Sequence, residues 1–208
     1  MNERRPRLLG TSLTAALAST VLTSTASAQS IIKQPGNHPD YVVEAEPHLV
    51  FAFGDPPGSD LDADSGMGLG ARFAIPVAQQ GLLPKLNDSV AIGFGADYVR
   101  YTGGSHAGRC IRWESGPAGT RVCTDTTASG GSADVLLFPL VFQWNFWLTE
   151  KFSVFGEPGL ALTYEDREGV DFAPFVIWAG GRFHFSEVAA LTLRLGYPSA
   201  TLGVSFLL

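Results

Sequence analysis

Beyond residue 28 the sequence contains no apolar run approaching the ~18 residues that a membrane-spanning helix requires. That absence excludes a helical membrane protein, but not a chain that crosses with strands, provided the sheet closes on itself and satisfies its backbone groups. Charge is scarce as well, at 16% of residues, which suits neither a disordered chain nor a typical helical protein. The formal net charge of the whole chain is −6. Without the first 28 residues, which carry three arginines and one glutamate, it falls to about −8, and nucleic acid is excluded as a partner. No Gly-x-Ser-x-Gly elbow and no Ser–His spacing of a hydrolase stands out, so neither an enzyme nor a cofactor is expected.

The first 28 residues have the composition of a secretory leader. Arg4, Arg5 and Arg7 form a basic start, residues 8–22 an apolar stretch, and Ala26-Ser27-Ala28 a small-residue cleavage site. The mature chain is expected to begin at Gln29. Only two cysteines are present, Cys110 and Cys123, both in one Gly-rich polar stretch. In an exported protein such a pair is expected to form a disulfide, which on the chain-entropy model stabilises so short a loop by roughly 3 kcal/mol.

Residues 29–41 contain Pro and Gly and show no period, so they read as an N-terminal tail. From Val42 the period becomes two. Strands are predicted near 43–53, 67–77, 89–101, 133–148, 152–164, 172–185, 190–197 and 201–208. In each, one face is almost wholly Leu, Phe, Ile and Val while the other holds small and charged residues. The last strand is the clearest: Leu202, Val204, Phe206 and Leu208 share one face, and Thr201, Gly203 and Ser205 the other. The connections at 149–151 and 186–188 are tight, whereas 54–66 and 102–132 are long and polar, the asymmetry of periplasmic turns and outer loops. Two connections fit less well: 78–88 is long for a turn, and 197–200 is short for an outer loop. Trp144, Phe146, Trp147, Phe152, Phe183 and Phe185 are predicted to form an aromatic girdle at the turn end. Pro47, Pro139, Pro158 and Pro174 fall inside strands, where a missing N–H predicts bulges or local breaks.

These residues resemble the small outer-membrane β-barrel family of the OmpA/OmpX type, and the similarity covers nearly all of residues 42–208. The resemblance implies an all-β fold, an eight-stranded antiparallel up-and-down transmembrane β-barrel, in the outer membrane of a Gram-negative-type envelope. It implies outer-membrane lipid and lipopolysaccharide as surroundings, a monomer, and outer loops open to a surface ligand. The terminal strand is similar to the signal read by the outer-membrane insertion machinery, at Thr201, Gly203, Phe206 and Leu208. A terminal Phe is commoner in that family, so Leu208 departs from its pattern.

Threaded as a barrel, the interior is expected to collect Glu44, Glu46, His48, Arg72, Asp97, Gln143, Asn145, Glu157, Arg182, His184 and Arg194. Acids and bases nearly balance there, which predicts a salt-bridged, largely occluded polar lumen, because charges in so narrow a space must pair to offset desolvation. The alternative is a narrow or gated, porin-like channel whose conductance depends on those pairs breaking. Less expected are a lipid-modifying enzyme and a soluble ligand-holding barrel; the latter would expose a very large apolar band to water. No metal site is expected inside. The acidic loop bearing Asp60, Asp62 and Asp64 is a weak calcium candidate, with carboxylates at alternating positions but without the distal Glu of an EF-hand.

Overall fold

The computed structural model describes residues 29–208 except 59–60, 63, 107–109, 117–119, 127–129 and 166–168. The expected leader and Asp60 lie outside the described residues. The chain forms β1 (Glu44–Phe53), β2 (Leu61–Asp62), β3 (Ser65–Ala78), β4 (Asp88–His106), β5 (Cys110–Ser115) and β6 (Arg121–Thr126). It continues through β7 (Gly130–Thr149), β8 (Phe152–Glu165), β9 (Gly169–Ser186), β10 (Ala189–Tyr197) and β11 (Ser199–Leu207). Eight of these close a barrel, all antiparallel, in the order β1-β3-β4-β7-β8-β9-β10-β11, with β11 pairing back to β1. The eight predicted strands correspond to these eight. The shortest, β10 and β11, have 9 residues each, enough for a tilted strand to cross a bilayer core.

The long connections hold more structure than expected. β4 and β7 extend past the predicted strand ends and still pair at Ser105 and Gly130, while β5 and β6 form a separate two-stranded hairpin between them. β2 adds to the edge of β4 through Leu61 and His106. At the other short joint, β10 and β11 are separated by Pro198 alone, after a cis Tyr197–Pro198 peptide.

The strand prolines mark interruptions in the ladders, as a residue without N–H should. Pairing between β1 and β11 skips the positions of Glu46 and Pro47 and resumes in the same register. The β4–β7 ladder is interrupted opposite Phe138 and Pro139, and the β7–β8 ladder opposite Glu157 and Pro158. At Pro174 the register itself shifts: Ala173 and Val176 both face inward, while Pro174 and Phe175 are both exposed. That one bulge keeps both halves of β9 in phase with the barrel interior.

The polarity of the wall is the reverse of a water-soluble barrel. Outward positions carry exposed large apolar side chains on every barrel strand, among them Leu49, Leu69, Phe94, Leu140, Leu162, Phe172, Leu193 and Leu202. Inward positions are filled in layers. Toward the long-loop end the interior is mainly apolar, with Val50, Ala52, Val99, Tyr101, Ala133 and Val135 in one cluster and Leu137, Val141, Ala161, Ala173, Val176 and Trp178 in a second, although Thr163 and Glu165 are buried there too. The expectation of a polar lumen therefore holds for only part of its length. The reason is visible in residues 135–142, which are apolar on both faces because one face meets the surroundings and the other a filled interior.

Candidate functional site: a charged belt and a strap across the barrel mouth

Below the apolar layers, toward the turn end, the interior is crossed by a belt of charged groups. All eleven residues expected to line the lumen face inward, and none is more than 5% exposed. The Arg182 guanidinium grips the Glu44 carboxylate with two parallel bonds, 3.0 and 2.9 Å, and donates a third, 2.7 Å, to Asn145 Oδ1. Arg194 donates to Glu157 at 2.9 Å and to Glu46, whose other oxygen accepts from Ser205 Oγ at 2.8 Å. Arg72 lies between Asp97, at 3.2 Å, and Glu157, at 3.4 Å. His48 Nε2 sits 2.8 Å from Asp97, and Gln143 donates to Glu157 at 2.7 Å.

Every barrel strand contributes to this belt, and its main bonds skip neighbours. Glu44 on β1 reaches Arg182 on β9, and Arg72 on β3 reaches Glu157 on β8. The pairs span the lumen instead of running along the wall. Bidentate arginine–carboxylate geometry suits such a place, because the fork fixes position as well as supplying energy. The guanidinium faces are covered too: Arg182 and Arg194 lie 4.2 and 5.0 Å from the Phe155 ring, and Arg72 lies 4.8 Å from Trp178. Phe155 and Trp178 were not among the expected lining residues, although alternation from Glu157 and Arg182 places both on the inner face.

A third layer crosses the turn end, and it comes from the segment expected to be a tail. Residues 31–41 fold back across the barrel mouth as a strap. Ile31 and Tyr41 pack with Trp147 and Leu207, and Ile31 N donates to Leu148 O while Asn87 N donates to Ile32 O. Asn87 Nδ2 holds Asn37 O at 2.8 Å, Gln79 Nε2 holds Tyr41 O at 2.8 Å, and His38 Nε2 meets Gln79 O at 2.8 Å. Burial, followed by the Glu44 carboxylate, pushes the Tyr41 hydroxyl above its ordinary range and keeps it neutral.

Trp147 is the correction to the expected girdle. It points into the lumen, 1% exposed, with His38 stacked on it at 5.2 Å and His184 at 4.9 Å. The parity of β7, with Gln143 and Asn145 inward, already carried that signal. Trp144, Phe146, Phe152, Phe183 and Phe185 do lie on the outward face at the turn end. Between strap and rim lies a cleft of about 600 Å³, lined by residues that include His38, Asp40, Lys151, His184 and Glu187.

The structure brings together one Ser–His pair that spacing did not suggest, Ser153 Oγ and His184 Nε2 at 3.0 Å. Ser153 is fully buried and His184 Nδ1 has no hydrogen-bond partner among the described residues. The pair therefore lacks both an accessible nucleophile and an orienting acid. No group of metal-ligating side chains occurs among the described residues. Asp64 is exposed, and the side chain of Asp62, like Asp60, lies outside the described residues. In the β5–β6 hairpin the ladder opposes Cys110 to Thr126 and Cys123 to Trp113; the two cysteine side chains also lie outside the described residues. In the last strand Thr201 and Gly203 face inward and Phe206 and Leu208 outward.

Fold and interior define a class: a closed eight-stranded antiparallel barrel with an apolar outer wall and a filled, ion-paired interior. Solved structures with a similar arrangement include the attachment invasion locus protein Ail of Yersinia pestis, crystallised with the heparin analogue sucrose octasulfate. It is 9% identical, with a TM-score of 0.43, over 79% of this chain and 96% of that one. Neisserial surface protein A matches at 13% identity and a TM-score of 0.36, over 80% and 97%. The outer membrane protein OprG of Pseudomonas aeruginosa matches at 13% and 0.40, over 83% and 93%. No family model and no curated protein matches the chain.

Proposed function

We propose that the chain is an outer-membrane β-barrel with a structural or surface-exposed envelope role, and that its lumen is closed to solutes. The observation that carries this reading is the polarity of the wall. Residues such as Met67, Leu69, Phe172 and Phe183 are more than half exposed on the outside, while Glu44, Glu46, Asp97, Glu157, Arg72, Arg182 and Arg194 are sealed inside. Water would solvate that arrangement poorly on both counts, because the apolar band far exceeds what soluble monomers expose. A bilayer satisfies it, since lipid covers the wall and the closed ladder leaves no strand edge unpaired.

The turn end would then face the periplasm and the long loops the cell exterior. The loop end carries an excess of acids, with Asp55, Asp62, Asp64, Glu114, Asp125, Asp134 and Asp171 against Arg100, Arg112 and Arg121 among its described residues. That balance opposes a polyanionic surface ligand and favours a neutral or cationic one. Electrophoretic mobility of outer-membrane fractions with and without boiling tests the reading. A folded barrel should migrate differently from the boiled chain. Identical mobility, with the protein recovered in the soluble periplasmic fraction, would make a soluble barrel the better account.

A further inference from the structure

The connection between β3 and β4 is longer than a turn needs, and the structure gives its extra residues a definite shape. The Asp88 side chain is fully buried, and its carboxylate accepts from Leu82 N at 2.9 Å and Leu83 N at 3.3 Å. The same oxygen accepts from Trp144 Nε1 at 2.8 Å. Gly81 makes this possible, since its φ is +53° and a Cβ there would overlap the Asp88 carboxylate. Trp144 belongs to the outward face of β7, with the Phe146 ring tilted against it at 5.0 Å. Opposite it, Val90 also faces outward by register yet is only 2% exposed. The turn is therefore pinned through Asp88 to Trp144 on the outer wall, while its two ends, Gln79 and Asn87, hold the strap.

A buried carboxylate and an indole N–H thus hold a short segment whose ends bond the strap through Gln79 and Asn87 and whose tip, residues 82–85, is exposed. Leu82 is 57% and Leu83 37% exposed, and Val77 beside them 61%. Pro84 and Lys85, which follow, are exposed as well. An ordered pair of leucines next to tryptophan and phenylalanine, followed by a cation, matches the depth profile of a lipid headgroup region: apolar tip inward, aromatic ring at the boundary, ammonium at the phosphate.

We propose that residues 79–87 form an interfacial anchor that inserts Leu82 and Leu83 into the periplasmic leaflet, with Lys85 at the phosphate of an anionic phospholipid. Through the Asp88 carboxylate they are tied to Trp144 on the outward face of β7, and the inference rests on that wall facing lipid. Asp88 is the positioning residue that shapes the anchor.

The test places a reporter at the anchor. Leu82→Trp and Leu83→Trp variants of the full chain are refolded into phosphatidylcholine–phosphatidylglycerol vesicles brominated either near the glycerol or near the acyl-chain ends. Leu140→Trp, in the middle of the wall, serves as the reference, and heat-dependent gel mobility confirms folding of each. The expected result is extra quenching over the parent chain at positions 82 and 83, stronger with shallow bromine, and at position 140 stronger with deep bromine. Quenching at position 140 with none at 82 and 83 overturns the anchor while leaving the membrane barrel standing. No quenching at any of the three overturns both.

Discussion

Glu157 accepts hydrogen bonds from the side chains of Arg194, Arg72 and Gln143. Replacing it with Gln keeps the volume but removes the charge that two buried guanidinium groups share. Breaking such a buried set typically costs about 3–5 kcal/mol, because the remaining charges lose their compensation in a low-dielectric interior. The Glu157→Gln barrel should therefore unfold at distinctly lower denaturant concentration in micelles. An unchanged midpoint would show that the belt is hydrated and its pairs worth little. Gly70 shows how tightly the belt is fitted, since a Cβ there would run into Asp97 Oδ1 and His48 Nε2. The residues of the belt were legible in the sequence because strict alternation assigns each to a face. Their partners were not, because the pairs join strands as remote as Glu44 and Arg182, and only closure with a particular stagger brings those together.

The strap and the loop hairpin are the elements whose behaviour is least like the wall. The strap is held by backbone bonds to β7 and the β3–β4 turn and by the packing of Ile31 and Tyr41 on Trp147 and Leu207. Truncating Trp147 to Ala should cost about 3–5 kcal/mol, as for other buried aromatic residues. Removing residues 29–40 should leave the barrel folded but uncover Trp147, which appears as a red-shifted emission and increased quenching by acrylamide. Unaltered emission would mean that the strap is not docked in the folded protein. Residues 29–41 gave no sign of this role because they lack a period: the segment is positioned by single contacts, such as His38 on Trp147, and not by an amphipathic face. In the hairpin, we propose that Cys110 and Cys123 are joined, as export favours; a bridge would draw β5 and β6 out of the register in which Cys110 faces Thr126. Alkylation should then add two groups only after reduction, and two groups added without reductant would exclude the bridge.

At the scale of the whole molecule, three layers lie across the same lumen, and the proposed closure rests on them together. The apolar clusters, with Thr163 and Glu165 buried beside them, lie toward the loop end, the ion-paired belt lies in the middle, and the strap crosses the turn end. The number of strands, their order and the polarity of the two faces could all be read from period-two alternation and the lengths of the connections. The apolar layer could not be separated from the wall, because residues such as Val135 and Leu137 are as hydrophobic as their outward-facing neighbours Leu136 and Phe138. Extended β4 and β7 were hidden for a related reason: Gly- and Ser-rich strand ends have the composition of loops. Closure is the property that separates a structural envelope barrel from a channel, and planar-bilayer conductance of the refolded full chain reads it directly. A closed lumen gives insertion without unit conductance above that of the lipid alone. Stable, reproducible single-channel currents would contradict it and would mean that both the belt and the strap open.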